Sequence, residues 1–445
     1  GLNLSLERLT TKNIENEVYI DGKIINKNLI VKENFFEEFF EDSKIKIQKV
    51  DLDSENTFSF KLDKKFKIEN FKLKSKIKFN EAKILNNFDL ENFFPQMNKQ
   101  INLINHNIEI DYFKNEFRCR GSGSILLQKN NDQIEYTILK KDKKIYFNTS
   151  LIIDENEFSI DFLNYKKNDK TKLKVQLKGD KDQNGSFKLD VLNLKSKDDE
   201  IELKNTLFDK NFKIVEFSQV RFNYIDQENQ INRFKIIKNQ KNYILNGDHF
   251  NASYLLDSLS SSDDEEELSI FKKKISLKIK IKNIRLDEEY SIKNLKGNLV
   301  FFNDDVISGD LDAFFSDKDK VKFTTISKNN EKITTLFSDI AKPFVKKYKF
   351  IKGFSNGTLD FYSIKKDNKT DSNLKIYDFK LKEVPALTKL LTLASLQGIA
   401  DLLSGEGIRF NEFEMKFFNE PSLMTVSEIY AIGPAISILM DGYIE

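Results

Sequence analysis

Lys274–Lys282 reads KISLKIKIK, and the reading of this stretch decides the fold. Ile275, Leu277, Ile279 and Ile281 occupy every second position, and Ser276, Lys278 and Lys280 fall between them. A period of two sends successive side chains to opposite sides of an extended backbone, so the stretch is a β-strand with one apolar side and one cationic side. The pattern recurs. In FKLKSKIKF, Phe71, Leu73, Ile77 and Phe79 alternate with lysines, and in KLKVQLK the same holds for Leu173, Val175 and Leu177. Asp21-Gly22, Asn184-Gly185, Asn246-Gly247 and Asn356-Gly357 are turn signals between such runs and predict antiparallel hairpins. Roughly twenty strands or more fit into the chain.

Composition narrows the function classes. Among 445 residues, 72 basic and 70 acidic side chains nearly cancel to a net charge of +2, so no clustered basic face for nucleic acid is implied. The single cysteine, Cys119, excludes an internal disulfide framework, and His106 and His249 are the only histidines. No apolar run of 18 or more residues reads as a membrane-spanning helix. Two short helical interruptions are expected, at Glu33–Phe40 and Phe88–Gln100. Ser258–Glu267 (SLSSSDDEEE) reads as a solvated loop.

One stretch breaks the strand texture. Between Pro385 and Ser404 only Lys389 and Asp401 are charged, although 32% of the chain is charged. Pro385 suits a first helical turn, and Gly405 with Gly407 suits a left-handed stop. Leu387, Leu390, Leu391, Ala394, Leu402 and Leu403 recur at helical spacing, which predicts a buried amphipathic helix of about 19 residues, roughly 30 Å long.

The segment around this helix resembles the C-terminal region of the AsmA-like superfamily, nearest its YhdP-type members. The strand-to-helix entry stands at Phe379–Leu387, the ASL-x-G helix at Ala394–Gly398, the L-x-G-x-G-I-x-F exit at Leu403–Phe410 and the G-P-A strand at Gly433–Ala435, before a closing Asp441-Gly442. The match is specific over residues 373–445. It is looser from Asn242 to Tyr362, where it rests on Leu245-Asn246-Gly247-Asp248, Leu255-Leu256 and Gly353…Gly357-Thr358-Leu359.

Motifs that carry chemistry fail on context. Gly353-Phe354-Ser355-Asn356-Gly357 matches a nucleophile elbow, but strand-forming TLDFYSI follows it and both histidines precede it. Asp180–Gly185 copies the opening of a calcium loop, yet Val191 stands where the bidentate glutamate belongs. Gly121-Ser122-Gly123-Ser124 lacks the third glycine and the following helix of a dinucleotide site. Cys119 lies between Arg118 and Arg120 and reads as an ordinary strand residue. We expect no enzyme and no cofactor.

A many-stranded sheet with one apolar face must cover that face, either by folding into sandwiches or barrels or by taking up a ligand. Periodicity is compatible with both. The resemblance implies the second: a mostly β chain whose elongated, twisted antiparallel sheet curls into an open groove for acyl chains. Twenty strands at ~4.8 Å would extend such a groove to on the order of 100 Å. The expected lining residues are Phe71, Leu73, Ile77, Phe79, Leu173, Val175, Leu177, Ile275, Leu277, Ile279 and Ile281, with the Pro385–Ser404 helix closing one end. Residues 1–260 and 261–372 then form successive groove segments, and 373–445 the strand-helix-strand segment. The resemblance further implies a periplasmic protein held in the inner membrane by an N-terminal helix that precedes this sequence. Its partners would be phospholipid acyl chains, the inner and outer membranes, and other envelope proteins. The alternative is a structural β-protein of the envelope that presents its edges to partner proteins and supports outer-membrane assembly.

Overall fold

The computed structural model describes residues 5–15, 17–32, 45–86, 90–210, 213–254, 274–302, 305–345, 353–382, 407–420, 423–434 and 436–444. Among the described residues, 25 of 27 strands belong to one mostly antiparallel sheet that does not close into a barrel, and almost no helix accompanies them. The mostly β class expected from the alternation and the open sheet implied by the resemblance are observed. The chain divides into two compact units, Gly1–Ile231 and Asn232–Glu445. Residues 232–254 lie in the second unit, where Tyr243–Asn251 pair with Leu277–Arg285.

Unit 1 contains β1 (Ser5–Ile14), β2 (Glu17–Lys32), β3 (Ile45–Leu62), β4 (Ile68–Asn86), β5 (Gln100–Phe113), β6 (Glu116–Leu126), β7 (Asn131–Lys141) and β8 (Lys144–Ile153). There follow β9 (Ser159–Ile160), β10 (Tyr165–Lys166), β11 (Leu173–Lys181), β12 (Phe187–Lys195), β13 (Glu200–Phe208), β14 (Ile214–Glu216) and β15 (Gln219–Ile225). β1 to β8 pair in order, β11 pairs with β8, and β12 and β13 continue the ladder. In such a ladder the connections alternate between two rims. One rim carries two-residue turns at Lys114-Asn115 and Asp142-Lys143, where both residues have positive φ (48° and 64°, 48° and 67°). These are the primed turns whose twist matches the strands they join.

The other rim carries longer connections that fold back over the apolar face. Phe94 and Met97 from one, and Phe158, Ile160 and Tyr165 from another, bury Ile153, Leu173, Leu194 and Ile201 of the sheet. The two connections are tied by the Ser159 amide donating to the Phe93 carbonyl at 3.1 Å, and Tyr224 anchors the second by donating its hydroxyl to the Leu163 carbonyl at 2.9 Å. The helix expected at Phe88–Gln100 is corrected here. The amides of Phe93 and Phe94 both donate to the Leu90 carbonyl at 2.9 Å, and the turn goes no further. Pro95 lacks the next donor and disfavours helical geometry at Phe94, and Gln100 already opens β5. Glu33–Phe40, Ser258–Glu267 and the Pro385–Ser404 helix lie outside the described residues.

Unit 2 contains β16 (Ile231–Asn239), β17 (Asn242–Asn251), β18 (Ile275–Arg285), β19 (Ser291–Phe302), β20 (Asp305–Phe314), β21 (Lys320–Lys328) and β22 (Glu331–Ser338). After the one-turn helix α1 (Lys342–Val345) come β23 (Phe354–Lys366), β24 (Lys369–Leu381), β25 (Ile408–Glu420), β26 (Leu423–Ile432) and β27 (Ser437–Ile444). All neighbours pair antiparallel except β17 and β18, which are parallel. One cross-strand row runs through the whole unit: Ile236, Leu245, Ile279, Gly297, Leu311, Phe323, Leu336, Phe361, Leu374, Met415, Ile429 and Met440. Twelve strands thus turn apolar side chains to one face, with Gly297 the only gap.

Three of the four glycine turn signals are also corrected. Asn184-Gly185 does lie in the turn between β11 and β12, but Asp21-Gly22, Asn246-Gly247 and Asn356-Gly357 lie inside β2, β17 and β23. Gly22 faces Phe58 across the ladder, and a Cβ there would sit 2.4 Å from the ring's Cζ. At Asn356 and Gly357 φ is 61° and 87°, a left-handed kink within a strand rather than a reversal.

The packing of unit 2 centres on three stacked rings from adjacent strands. Phe379 lies 5.2 Å from Phe354 and 5.2 Å from Phe410, with interplanar angles of 17° and 11°. Phe379→Ala is expected to destabilise unit 2 by about 3–5 kcal/mol, read from the denaturant midpoint. Leu439→Ala, at a side chain 71% exposed, is expected to stay within about 0.5 kcal/mol of the parent. Equal shifts for the two would contradict this account of the core.

Candidate functional site

Among the described residues, the face that carries the row of unit 2 is covered in one part and open in another. From β22 onward, Ala341 and Val345 are buried with Leu359, Leu374 and Ile376. The Ala341 amide donates to the Gly357 carbonyl at 2.8 Å and pins the segment before α1 to the sheet. Between β16 and β21 the face forms a cleft of about 410 Å³.

Each strand contributes in register. β16 supplies Phe234, and β17 Leu245 and Phe250. β18 supplies Leu277, Ile279, Ile281 and Ile284, and β19 Ile292, Leu295 and Leu299. β20 adds Leu311 and Ala313, and β21 Val321 and Phe323. Ala252 and Leu286, just past strand ends, complete the lining. Every one of these sixteen side chains is aliphatic or aromatic. Nothing in the lining can pair with a charge or a hydrogen-bonding group, so a molecule held there must offer hydrocarbon.

Charge is confined to the opposite face. Lys278, Lys280 and Lys282 are exposed, between the apolar positions of β18. Lys282 Nζ lies 2.7 Å from an Asp248 carboxylate oxygen, and that pairing holds the Asp248 carboxyl below the usual range. Lys322 Nζ lies 3.6 Å from Asp310 and 3.9 Å from Asp312. Exposed pairs of this kind contribute about 0–1 kcal/mol each. Their effect is on sidedness, because turning that face inward would desolvate every one of them.

The expected lining residues fall in three places. Leu277, Ile279 and Ile281 line the cleft, and Ile275 stands half-buried on the same face, opposite Phe301. Phe71, Leu73, Ile77 and Phe79 share one face of β4 in unit 1. There Leu73 pairs with Phe58 and Tyr112, and the Phe71 ring centroid lies 5.9 Å from that of Tyr112. Leu173 is fully buried beneath the rim connections, Val175 packs against the same core, and Leu177 is half-buried beside them. Leu173 therefore presents no surface to a ligand, since residues 158–165 already cover it. Leu387, Leu390, Leu391, Ala394, Leu402 and Leu403 lie outside the described residues.

Sequence reading missed Leu295, Leu299, Leu311, Ala313, Val321 and Phe323. The signal was present in Asp310-Leu311-Asp312-Ala313, where two acidic residues interleave two apolar ones.

The candidate reactive side chains are held in structural roles. His106 is fully buried in β5, its Nε2 2.9 Å from the Ser124 carbonyl, and burial pushes its imidazole below the ordinary histidine range. Burial pushes the Cys119 thiol up, while Arg120 pairs with Glu109 and Asp111 at 3.2 Å each. Asp180, near the end of β11, and Asp182, which opens the following turn, pair with Lys144 at 3.6 and 2.8 Å. Among the described residues no group of three or more His, Cys, Asp or Glu is placed to hold a metal, and no helix is long and apolar enough to cross a membrane. No protein-family model, curated protein or solved structure matches this chain.

His106 sets a pH dependence. Its folded-state affinity for protons is depressed, so the unfolded chain, with an ordinary histidine near 6.5, binds the extra proton. The stabilisation is complete above about pH 6.5 and is lost as pH falls below it. His106→Asn is expected to lose less stability than the parent between pH 7 and pH 5, measured by denaturant titration. An equal loss would contradict the buried neutral histidine.

Proposed function

We propose that this chain is a non-enzymatic, lipid-binding conduit of the AsmA-like type, which carries phospholipid acyl chains between the inner and outer membranes along an apolar β-face. The observation that carries the reading is the twelve-strand apolar row of unit 2 together with a wholly apolar cleft that no described residue covers. Exposing an acyl chain to water costs about 0.8 kcal/mol per methylene, roughly 13 kcal/mol for sixteen carbons. An apolar floor removes most of that cost, while the open side leaves a polar headgroup in water. The work is solvation, and it requires no catalytic group.

The periplasmic location, the inner-membrane anchor and the traffic to the outer membrane enter through the sequence resemblance over residues 373–445. A second reading, a structural β-protein of the envelope, is favoured by the closed core of unit 1, where connections of the chain itself cover Leu173 and Ile153.

Native mass spectrometry of the purified chain separates the two. The conduit predicts adducts of phospholipid mass. In Leu295→Lys, which places an ammonium in the cleft, the lipid-bound fraction is expected to fall at least tenfold with the circular dichroism unchanged. A clean protein mass for the parent would favour the structural reading.

A further inference from the structure

The cleft ends where the chain itself fills the apolar row. Its lining stops at β21 with Phe323, although the row continues through Leu336, Phe361 and Leu374. Phe344, from α1, sits at this boundary. It packs against the core that contains Ile279, Ala313 and Val321 on one side and against the core that contains Leu359 and Leu374 on the other. Leu336 of β22 belongs to both contacts.

Three local features hold the ring in place. The Phe344 ring centroid lies 6.3 Å from that of Phe315, edge to face. Lys342 Nζ reaches Glu289 at 2.8 Å and lies 5.8 Å from the Tyr290 ring centroid. The Phe344 and Val345 amides donate to the Ala341 carbonyl at 3.1 Å, and Ala341 is itself bonded to β23.

We propose that Phe344 is a ruler: it sets the length of hydrocarbon that the cleft accepts, and so makes the cleft selective for a single straight acyl chain. The inference rests on the lipid-binding reading above. The lining spans six strands, five spacings of ~4.8 Å or about 24 Å, the extended length of a chain of roughly twenty carbons at about 1.3 Å per carbon–carbon bond. Beyond that length further methylenes meet the Phe344 ring instead of open apolar surface. Removing the ring extends the cleft toward Leu336 of β22, one more spacing or about 5 Å, while Ala341 and Val345 still cover Leu359 and Leu374. Because the lining has no polar group, a sterol hydroxyl or a headgroup would find no partner within it.

The test is fluorescent-probe displacement from the full chain by straight-chain fatty acids of sixteen to twenty-six carbons, each below its micelle concentration. The parent is expected to bind best near twenty carbons and to lose affinity beyond twenty-two. In Phe344→Ala the affinity ratio of the twenty-four-carbon to the twenty-carbon acid is expected to rise at least tenfold. Phe344→Leu, which keeps a bulky apolar side chain at the boundary and guards against a folding defect, is expected to stay within threefold of the parent ratio. If every protein binds fatty acid but Phe344→Ala keeps the parent's preference, the ruler is wrong and the lipid-binding reading stands. If no fatty acid displaces the probe from the parent, both fail.

Discussion

Cross-strand register is the constraint on which this structure depends. Side chains alternate along every strand, so a one-residue slip between neighbours would turn a whole apolar set to the solvent side. In unit 2 the row holds from Ile236 to Met440, even where strands depart from simple alternation. Phe354, Phe379 and Phe410 share the apolar face at one end of β23, β24 and β25, and Leu359, Ile376 and Phe413 share it further along. The parity changes by one residue in each strand. The change falls at Gly357 and Asp378, where φ is 87° and 54°, and between Phe410 and Phe413 of β25. Because neighbouring strands shift together, no side chain changes face relative to its partners.

An apolar face this long must be covered or wetted, and the two units cover theirs with their own connections. Tight turns on one rim leave little chain to spare, whereas the longer connections of the other rim reach over the face. In unit 1 they bury Ile153 and Leu173 completely. In unit 2 the segment around α1 closes the face over Leu374 and Ile376, and among the described residues the stretch from β16 to β21 stays open. The position of the cleft thus follows from where the connections reach, and its chemistry follows from the strands. Charges stay on the far side, as the Lys282–Asp248 and Lys322–Asp310 contacts illustrate.

Much of this was legible in the sequence, and the limits have physical causes. KISLKIKIK displays its alternation because lysine fills the solvent side, and three of its four apolar residues line the cleft. Leu173 reads identically in KLKVQLK, but what covers it comes from residues 158–165, a contact no local period reveals. Glycines misled for a related reason. Next to Asn or Asp they signal a turn, yet Gly22 is required by a ring on the neighbouring strand and Gly357 by a kink shared between strands. The tight hairpins are made instead by Lys114-Asn115, Asp142-Lys143 and Asn329-Asn330, none of which contains glycine. Leu311 and Ala313 were overlooked because their strand is acidic and short of β-branched residues, which weakened its appearance as a strand.

The central claim is sidedness: one surface of the sheet takes hydrocarbon and the other faces water. Its most direct measurement is site-specific photocrosslinking at Leu277 and Lys278, adjacent residues on opposite faces of β18, with the full chain and phospholipid present. The account expects strong lipid labelling from position 277 and background labelling from position 278. Equal labelling at the two positions would contradict it.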